Sequence, residues 1–400
     1  MQKMFEHRVI THIHTDASSG EASLLDPLIS TGIKNVLGED VEIEWKECFN
    51  KPSELANLLK PESGISIVFI TDHMNHKRHL LNTEAVEIAS KEPRFAVGAE
   101  IQTVMLSEDG HVLQAPEVLV YGREEEAEFA KKKYCGISQE DLDILFNECA
   151  IDREGRVDTI SVRDYLLLRG YAHVLAHPFD GSHLGLEELL DLITEFRFVE
   201  TVNGGFPEDT STRLSLFISW YNFASRGLLH PRNFNSPILK KLCIKALRTG
   251  PIHPWGGSDA HASHKDRVTI IYKTDKKYPH AKDFIKDMVN LKVSELLLKN
   301  YFKIEGAPAT KLSLLDDVIR IAYRNLLENI DVIRRKGKLI EILSGVQRLA
   351  TMELMSRRKA RKKLIREFDT KIGEEIKQSL AKLNRSRFPR PLKIFSRLEN

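Results

Sequence analysis

Along the first 300 residues, short β-branched apolar runs alternate with stretches of helical period. Arg8-Val9-Ile10-Thr11, Ile65-Ser66-Ile67-Val68-Phe69-Ile70, Phe95-Ala96-Val97, Val118-Leu119-Val120-Tyr121, Tyr171–Ala176 and Phe198–Val202 predict strands. Apolar positions three and four apart predict helices near 79–90, 184–196, 212–226 and 237–249. Ser161-Val162-Arg163-Asp164 predicts a capped helix start, and Gly170 its stop. Such alternation predicts an α/β fold on a parallel sheet, of the kind that closes into a barrel. Residues 21–64 and 123–160 interrupt the pattern and read as insertions. Within the second, Asp152-Arg153-Glu154-Gly155-Arg156 has the wrong spacing for a calcium loop and reads as a surface turn.

Beyond about residue 307 the pattern changes to long helical stretches, 312–336 and 339–382, with the dense basic run Arg357-Arg358-Lys359-Ala360-Arg361-Lys362-Lys363. Residues 301–400 hold 24 Lys and Arg against 12 Asp and Glu, whereas the whole chain nets only +2. An acidic body over 1–300 and a basic α-helical extension over 307–400 are therefore expected. An acidic body concentrates cations. The clustered Lys and Arg of the extension suit nucleic-acid phosphates, an anionic surface or a protein partner. Aromatics are sparse there (Tyr323, Phe368, Phe388, Phe395), which argues against base stacking.

Cys48, Cys135, Cys149 and Cys243 are widely spaced with no C-x-x-C pair, which argues against a disulfide framework or a thiolate zinc site. No apolar run reaches the roughly 20 residues of a membrane span, and Met1–His7 lacks an apolar signal region. A cytoplasmic protein is expected.

The chemistry lies in where histidines and acids fall. His12 and His14 follow the first strand at spacing i, i+2, which puts both imidazoles on one side. Asp72-His73 follows the strand at 65–70, Glu100 follows Val97-Gly98-Ala99, and His177-Pro178 follows Val174-Leu175-Ala176. Asp259 and His261, again i and i+2, sit in a Gly-rich turn. Singly, each has a plain alternative: a chance pair, a helix cap, a surface acid, a turn. Together they place imidazole and carboxylate donors at strand ends, where barrel enzymes build their sites and where zinc, manganese or iron would find ligands.

The motifs His12-x-His14-Thr15, Thr71-Asp72-His73, Gly98-x-Glu100, Ala176-His177-Pro178, Glu200-x-x-Asn203 and Gly257-Ser258-Asp259-Ala260-His261 come in a telling order. In that order the chain, over roughly 7–275, resembles the PHP (polymerase and histidinol phosphatase) superfamily of metal-dependent phosphoesterases. The resemblance implies a distorted seven-stranded (β/α) barrel holding two or three divalent ions (Mn, Zn or Fe). It implies His12, His14, Glu100 and Asp259 around the first ion. Around the second it implies Glu100 as a bridge, with His177 and one more histidine. Around the third it implies His73, His261 and a residue from the loop after His14. The family has Ser-Asp-Gly in that loop; here it is Ser18-Ser19-Gly20, with Asp16 earlier. The additional histidine is expected to be His111, ahead of Val112-Leu113; if Glu117–Gly122 is the matching strand instead, Leu119 fills its slot.

The expected reaction is hydrolysis of a phosphate mono- or diester by metal-activated water. The ester would belong to a nucleotide, a nucleic-acid end or a small phosphorylated metabolite. Glu100, Asp259, His73 and His261 are the expected catalytic groups. Asp72, Glu200 and Asn203 would orient the ligands. Lys77, Arg78 and Arg267 would meet phosphate, or serve as solvated surface charge. Trp255 and Phe179 would stack on a ring or pack in the core. The alternative is a module whose metals are structural and whose basic extension binds nucleic acid or a protein.

Overall fold

The computed structural model describes residues 3–18, 48–106, 112–123, 134–149, 152, 155–179, 183–205, 207–261, 265–310, 320–321, 323–325, 327–328 and 359–385. Thirteen strands are found among them. β1 (Phe5–Ile10), β2 (Ile65–Met74) and β3 (Phe95–Ile101) are followed by β4 (Thr103–Leu106), β5 (Val112–Gln114), β6 (Val118–Arg123), β7 (Cys135–Gly136) and β8 (Val157–Asp158). Then come β9 (Tyr171–Leu175), β10 (Phe198–Asn203), β11 (His253–Gly257), β12 (Val268–Thr274) and β13 (Phe302–Gly306).

Nine strands run β11-β10-β9-β6-β3-β2-β1-β12-β13 in one sheet, with β7 added beside β3. β1, β2 and β3 pair in parallel, as do β9, β10 and β11. β6 lies antiparallel between β3 and β9, which restores the direction, so all six parallel strands end on one rim. β12 and β13 extend the sheet from β1 as an antiparallel pair. The sheet curls into a nearly closed barrel. The Phe284 ring meets Phe69 of β2, Trp255 of β11, Tyr272 of β12 and Phe302 of β13. At Gly256 of β11 an added Cβ would lie 2.8 Å from Ile304 of β13 and 2.9 Å from Val268 of β12, so a glycine lets the barrel's two ends approach.

The alternating residues Val9, Ile67, Phe69, Leu119, Tyr121 and Val174 face the barrel interior, and the helix Ala281–Asn290 plugs it with Phe284, Ile285 and Met288. The other face of β1–β3 packs Ile10, Val68, Ile70 and Val97 against the helices Pro52–Ala56 and Thr83–Lys91. The period-2 pattern of these strands thus records two cores, one on each face.

Three expectations need correction. The sheet has nine strands in its path rather than seven, because β6 runs backwards and the β12–β13 pair continues past β1. The helix expected to start at Ser161 is Thr159–Leu168, capped by Asp158, whose carboxylate accepts the Ser161 N–H at 2.9 Å. The charged segment 123–160 contributes β7, β8 and the helix Gln139–Glu148, capped by Ser138 and Asp141, with Leu142, Leu145 and Phe146 in the main outer core. Surface charge there hides a buried apolar stripe. Near the segment's end Asp152 accepts the Arg156 N–H at 2.8 Å, and Gly155 takes φ +86°, as at a turn.

Of the C-terminal extension, 359–385 is helical, with a π-turn at Asp369–Gly373. Leu364, Phe368, Ile372, Ile376 and Leu380 share one core with Leu214, Phe217 and Phe179. Arg213 on the helix Glu208–Ser225 binds Asp369, and Glu375 accepts the Ser236 N–H at 3.0 Å. The apolar stripe of this helix packs against the barrel's outer layer, while Lys359, Lys362, Lys363 and Arg366 are exposed. No helix among the described residues is long and apolar enough to cross a membrane.

Two imidazoles, His173 of β9 and His253 of β11, are fully enclosed among rings such as Phe196, Phe198 and Trp255. Burial pushes each down to about 4. An unfolded imidazole titrates near ~6.5, so the fold favours the neutral form. The stability this brings is whole above that pH and lost as pH falls toward about 4. The melting temperature of metal-stripped protein should therefore drop between about pH 7 and pH 4.5. A His173→Asn/His253→Gln variant should show a shallower drop; an unchanged slope would reject this cause.

Candidate metal centre

Six parallel strand ends and one reversed strand start supply the site. His12 and His14 follow β1, His73 is on the end of β2, and Glu100 on the end of β3. His177 follows β9, Glu200 and Asn203 lie on β10, and Asp259 and His261 follow β11. All these side chains gather at the same rim. β2 reaches past its apolar run to Met74, so Thr71-Asp72-His73 are strand residues rather than a helix cap.

Glu100 is the hub. Its Oε2 lies 3.2 Å from His12 Nε2, 3.3 Å from His14 Nε2 and 3.0 Å from His73 Nδ1; its Oε1 lies 3.0 Å from His177 Nε2. Asp259 Oδ1 lies 3.0 Å from His14 Nε2 and 3.5 Å from His12 Nε2. His73 Nε2 and His261 Nε2 are 3.5 Å apart. Despite these short distances, neither Glu100 Oε2 nor His12 Nε2 makes a hydrogen bond, and both are buried. Buried polar atoms are rarely left so. Buried ligand atoms crowded this closely with no hydrogen bond to satisfy them are what a cation needs, so the residues present fit a metal centre. Among the described residues, three groups have ligand atoms mutually within 4.8 Å: His12, His14, Glu100 and Asp259; His14, His73 and His261; and His73, Glu100 and Glu117.

The electrostatics agree. Burial would raise Glu100, but the neighbouring His12 and His73 charges hold it well below the usual carboxylate range. Asp259 behaves likewise, with burial overcome by His12 and His14. Burial opposes a charged His12, yet Glu100, Glu200 and Asp259 keep its pKa well above normal. His14 is pushed well below normal by burial and by His73 and His261, which leaves its lone pair available. Burial also lifts Asp72 to about 6. A rim of ionised carboxylates, buried together, is stable only with positive charge among them.

A second layer fixes the ring orientations. His12 Nδ1–H donates to Glu200 Oε1 at 3.1 Å, which turns Nε2 toward the cluster. Glu200 Oε2 accepts the His177 N–H at 3.1 Å and Asn203 Nδ2 at 2.9 Å. Asn203 Oδ1 accepts the Gly205 N–H at 2.7 Å. The backbone is strained where it matters: His177 and Asp259 both have positive φ, +21° and +47°, conformations that side-chain-bearing residues hold only when their surroundings insist. At Gly257 an added Cβ would fall 2.3 Å from Glu200 Oε1 and 2.5 Å from His12 Cβ, so that glycine of the Gly-Ser-Asp turn is the space in which the His12–Glu200 bond forms.

Other expected residues stand differently. Asp72 orients the loop after His14 instead of a ligand ring: it accepts the Thr15 N–H and the Thr15 hydroxyl, each at 2.6 Å. Arg267 donates to the Gly204 carbonyl at 2.6 Å, bracing the loop beside Asp259. Lys77 and Arg78 are exposed in a turn closed by Asn75. Trp255 is a packing residue, its Nε1 donating to Tyr121 at 3.3 Å, and Phe179 packs on Phe368. His111 and Ser19 lie outside the described residues. The four cysteines are buried and form no disulfide.

Two contributors escaped the sequence reading. Ser18 Oγ accepts the His73 backbone N–H at 2.8 Å and lies 3.3 Å from His14 Nδ1, tying the end of β2 to the His14 ring. Glu117 precedes β6, and because β6 is reversed, its start lies at the ligand rim. Its Oε2 is 3.5 Å from His177 Nε2 and its Oε1 3.8 Å from His73 Nδ1. The signal was in the sequence, an acid opening an apolar strand, but only the direction of β6 gives it meaning.

No protein-family profile matches the chain, and no curated protein matches it. A solved structure from Bifidobacterium adolescentis, titled a "putative metal-dependent phosphoesterase", aligns at 14% identity over 61% of this chain and 93% of that one, with a TM-score of 0.28. A likeness at that score carries no weight here.

Because Glu200 serves three donors at once, Glu200→Gln leaves at least one unmet. Divalent-ion affinity should fall by about 10–100-fold, read by calorimetric titration of Mn²⁺, with the far-ultraviolet spectrum unchanged. Unaltered affinity would show that Glu200 does not orient His12.

Proposed function

We propose that this chain is a metal-dependent phosphoric ester hydrolase of PHP type. One observation carries the reading: Glu100 Oε2 sits within 3.3 Å of three imidazole nitrogens, at the rim of a barrel-like sheet, without a hydrogen bond. His12, His14, Glu100 and Asp259 would hold one ion; Glu100 would share a second; His14, His73 and His261 border a third position. Ions held there supply Lewis acidity, which polarises phosphoryl oxygens and makes water ionise near neutral pH.

The chain's own residues do the rest. Glu200 and Ser18 fix His12, His14 and His73 before substrate arrives, so little reorganisation is needed during reaction. Glu100 serves as a shared ligand and not as a free base, since the surrounding imidazoles keep it ionised. His261, a quarter exposed, and His73, 11% exposed, form the open side of the cluster. A phosphate ester entering from solvent would meet them first, and His261 is placed to hand a proton to the departing oxygen when it holds no ion. The substrate is a nucleotide, a nucleic-acid end or a small phosphorylated metabolite, classes that share the dianionic or monoanionic group this rim would neutralise.

Asp259→Ala removes a carboxylate from the most buried ligand group. It should cut Mn²⁺-dependent phosphate release from p-nitrophenyl phosphate by about a thousandfold, roughly 4 kcal/mol of barrier. Turnover equal to the parent's would sink the proposal, as would activity that survives exhaustive chelation.

A further inference from the structure

The second ion position has a donor set that the sequence motifs do not spell out. The strand after His111 is β5, and it belongs to a separate three-stranded sheet, β5-β4-β8, not to the barrel. Val112 pairs with Leu106, the outer end of β4, three residues out from Thr103 at about 3.3 Å each. The barrel strand in that part of the chain is β6, whose Leu119 pairs with Glu100 and whose Val118 pairs with Ile101. Glu117 is the next residue outward, and its carbonyl accepts the Ala176 N–H at 2.8 Å, one residue before His177. This bond fixes Glu117 against the loop that carries His177. Its carboxylate spans the gap between His177 and His73, both of which touch Glu100.

We propose that Glu117, and not an imidazole, completes the second ion's ligands with Glu100, His73 and His177, and that this added carboxylate favours manganese or magnesium over zinc there. The inference rests on the metal-centre reading above. Carboxylate oxygens suit harder cations, imidazoles suit zinc. Replacing a ring by a carboxylate also brings the carboxylate ligands at the cluster to three, Glu100, Glu117 and Asp259, a better match to two divalent charges. Glu117 is 22% exposed while Glu100 is wholly buried, so the second position opens to solvent and the first does not.

The test is ion stoichiometry on the full chain, stripped of metal and titrated with Mn²⁺ and with Zn²⁺. The parent should take at least two Mn²⁺. Glu117→Gln should lose one of them, or bind it more than tenfold less tightly, and keep the other. Glu117→Asp should retain it with weakened affinity, and His111→Ala should match the parent. Glu117→His should raise the zinc-to-manganese affinity ratio at the second position about tenfold or more. Unchanged stoichiometry and affinity in Glu117→Gln, or loss of the ion in His111→Ala, would overturn the assignment while leaving the metal centre standing. A parent that takes no divalent ion would remove both.

Discussion

Everything at the rim depends on the cost of burying Glu100. A carboxylate out of reach of water, as this one is, must be protonated or surrounded by positive charge; left alone it would cost several kcal/mol. Four imidazole nitrogens within 3.3 Å hold it ionised. They come from β1, β2 and β9, so one side chain on β3 ties together strands that are far apart in sequence. The arrangement is costly without a cation and well suited to one. Stability and chemistry meet in the same few atoms.

The barrel exists to bring those atoms together. Parallel strands send their C-terminal ends to one side, and the hydrophobic interior beneath, from Phe69 to Trp255, keeps the rim from collapsing. Two of the three positive-φ residues with side chains among the described residues fall at the site. His177 and Asp259 accept positive φ, and Gly257 gives up its Cβ so that His12 and Glu200 can meet. Strain is affordable where Glu200, Asn203 and the core below over-determine the loop positions.

Much of this was legible in the sequence. Apolar β-branched runs marked six of the seven strands that bear on the site, and most of the polar residues the structure gathers lie just past them. The H-x-H and D-x-H spacings carried their meaning because period 2 is a local property. What escaped was set by non-local facts. Nothing in Glu117-Val118-Leu119 says that the strand runs backwards, yet that alone brings Glu117 to the rim. Ser18 stood beside Ser19, where the motif's acid is missing, yet its hydroxyl joins the His14 ring to the His73 backbone. Segment 123–160 looked like an insertion because its charges outnumber its apolar positions, although Leu142, Leu145 and Phe146 are core. The count of strands failed for a similar reason: β11, β12 and β13 are short or polar at their edges and owe their pairing to the barrel's curvature.

The pairing of β1 with β12 has a consequence for how such a chain comes to be folded. Val9 is made well before its partner Ile270. At translation rates of about 5–20 residues per second, that edge of β1 waits on the order of tens of seconds for its neighbour. The outer layer waits longer still, since Leu364, Phe368 and Ile376 supply part of its core. During synthesis the nascent chain thus carries an open strand edge and an uncovered apolar layer, the two features that most invite chaperones or misassociation. A barrel whose site is assembled from segments far apart in the chain gains its geometry by making its own completion late.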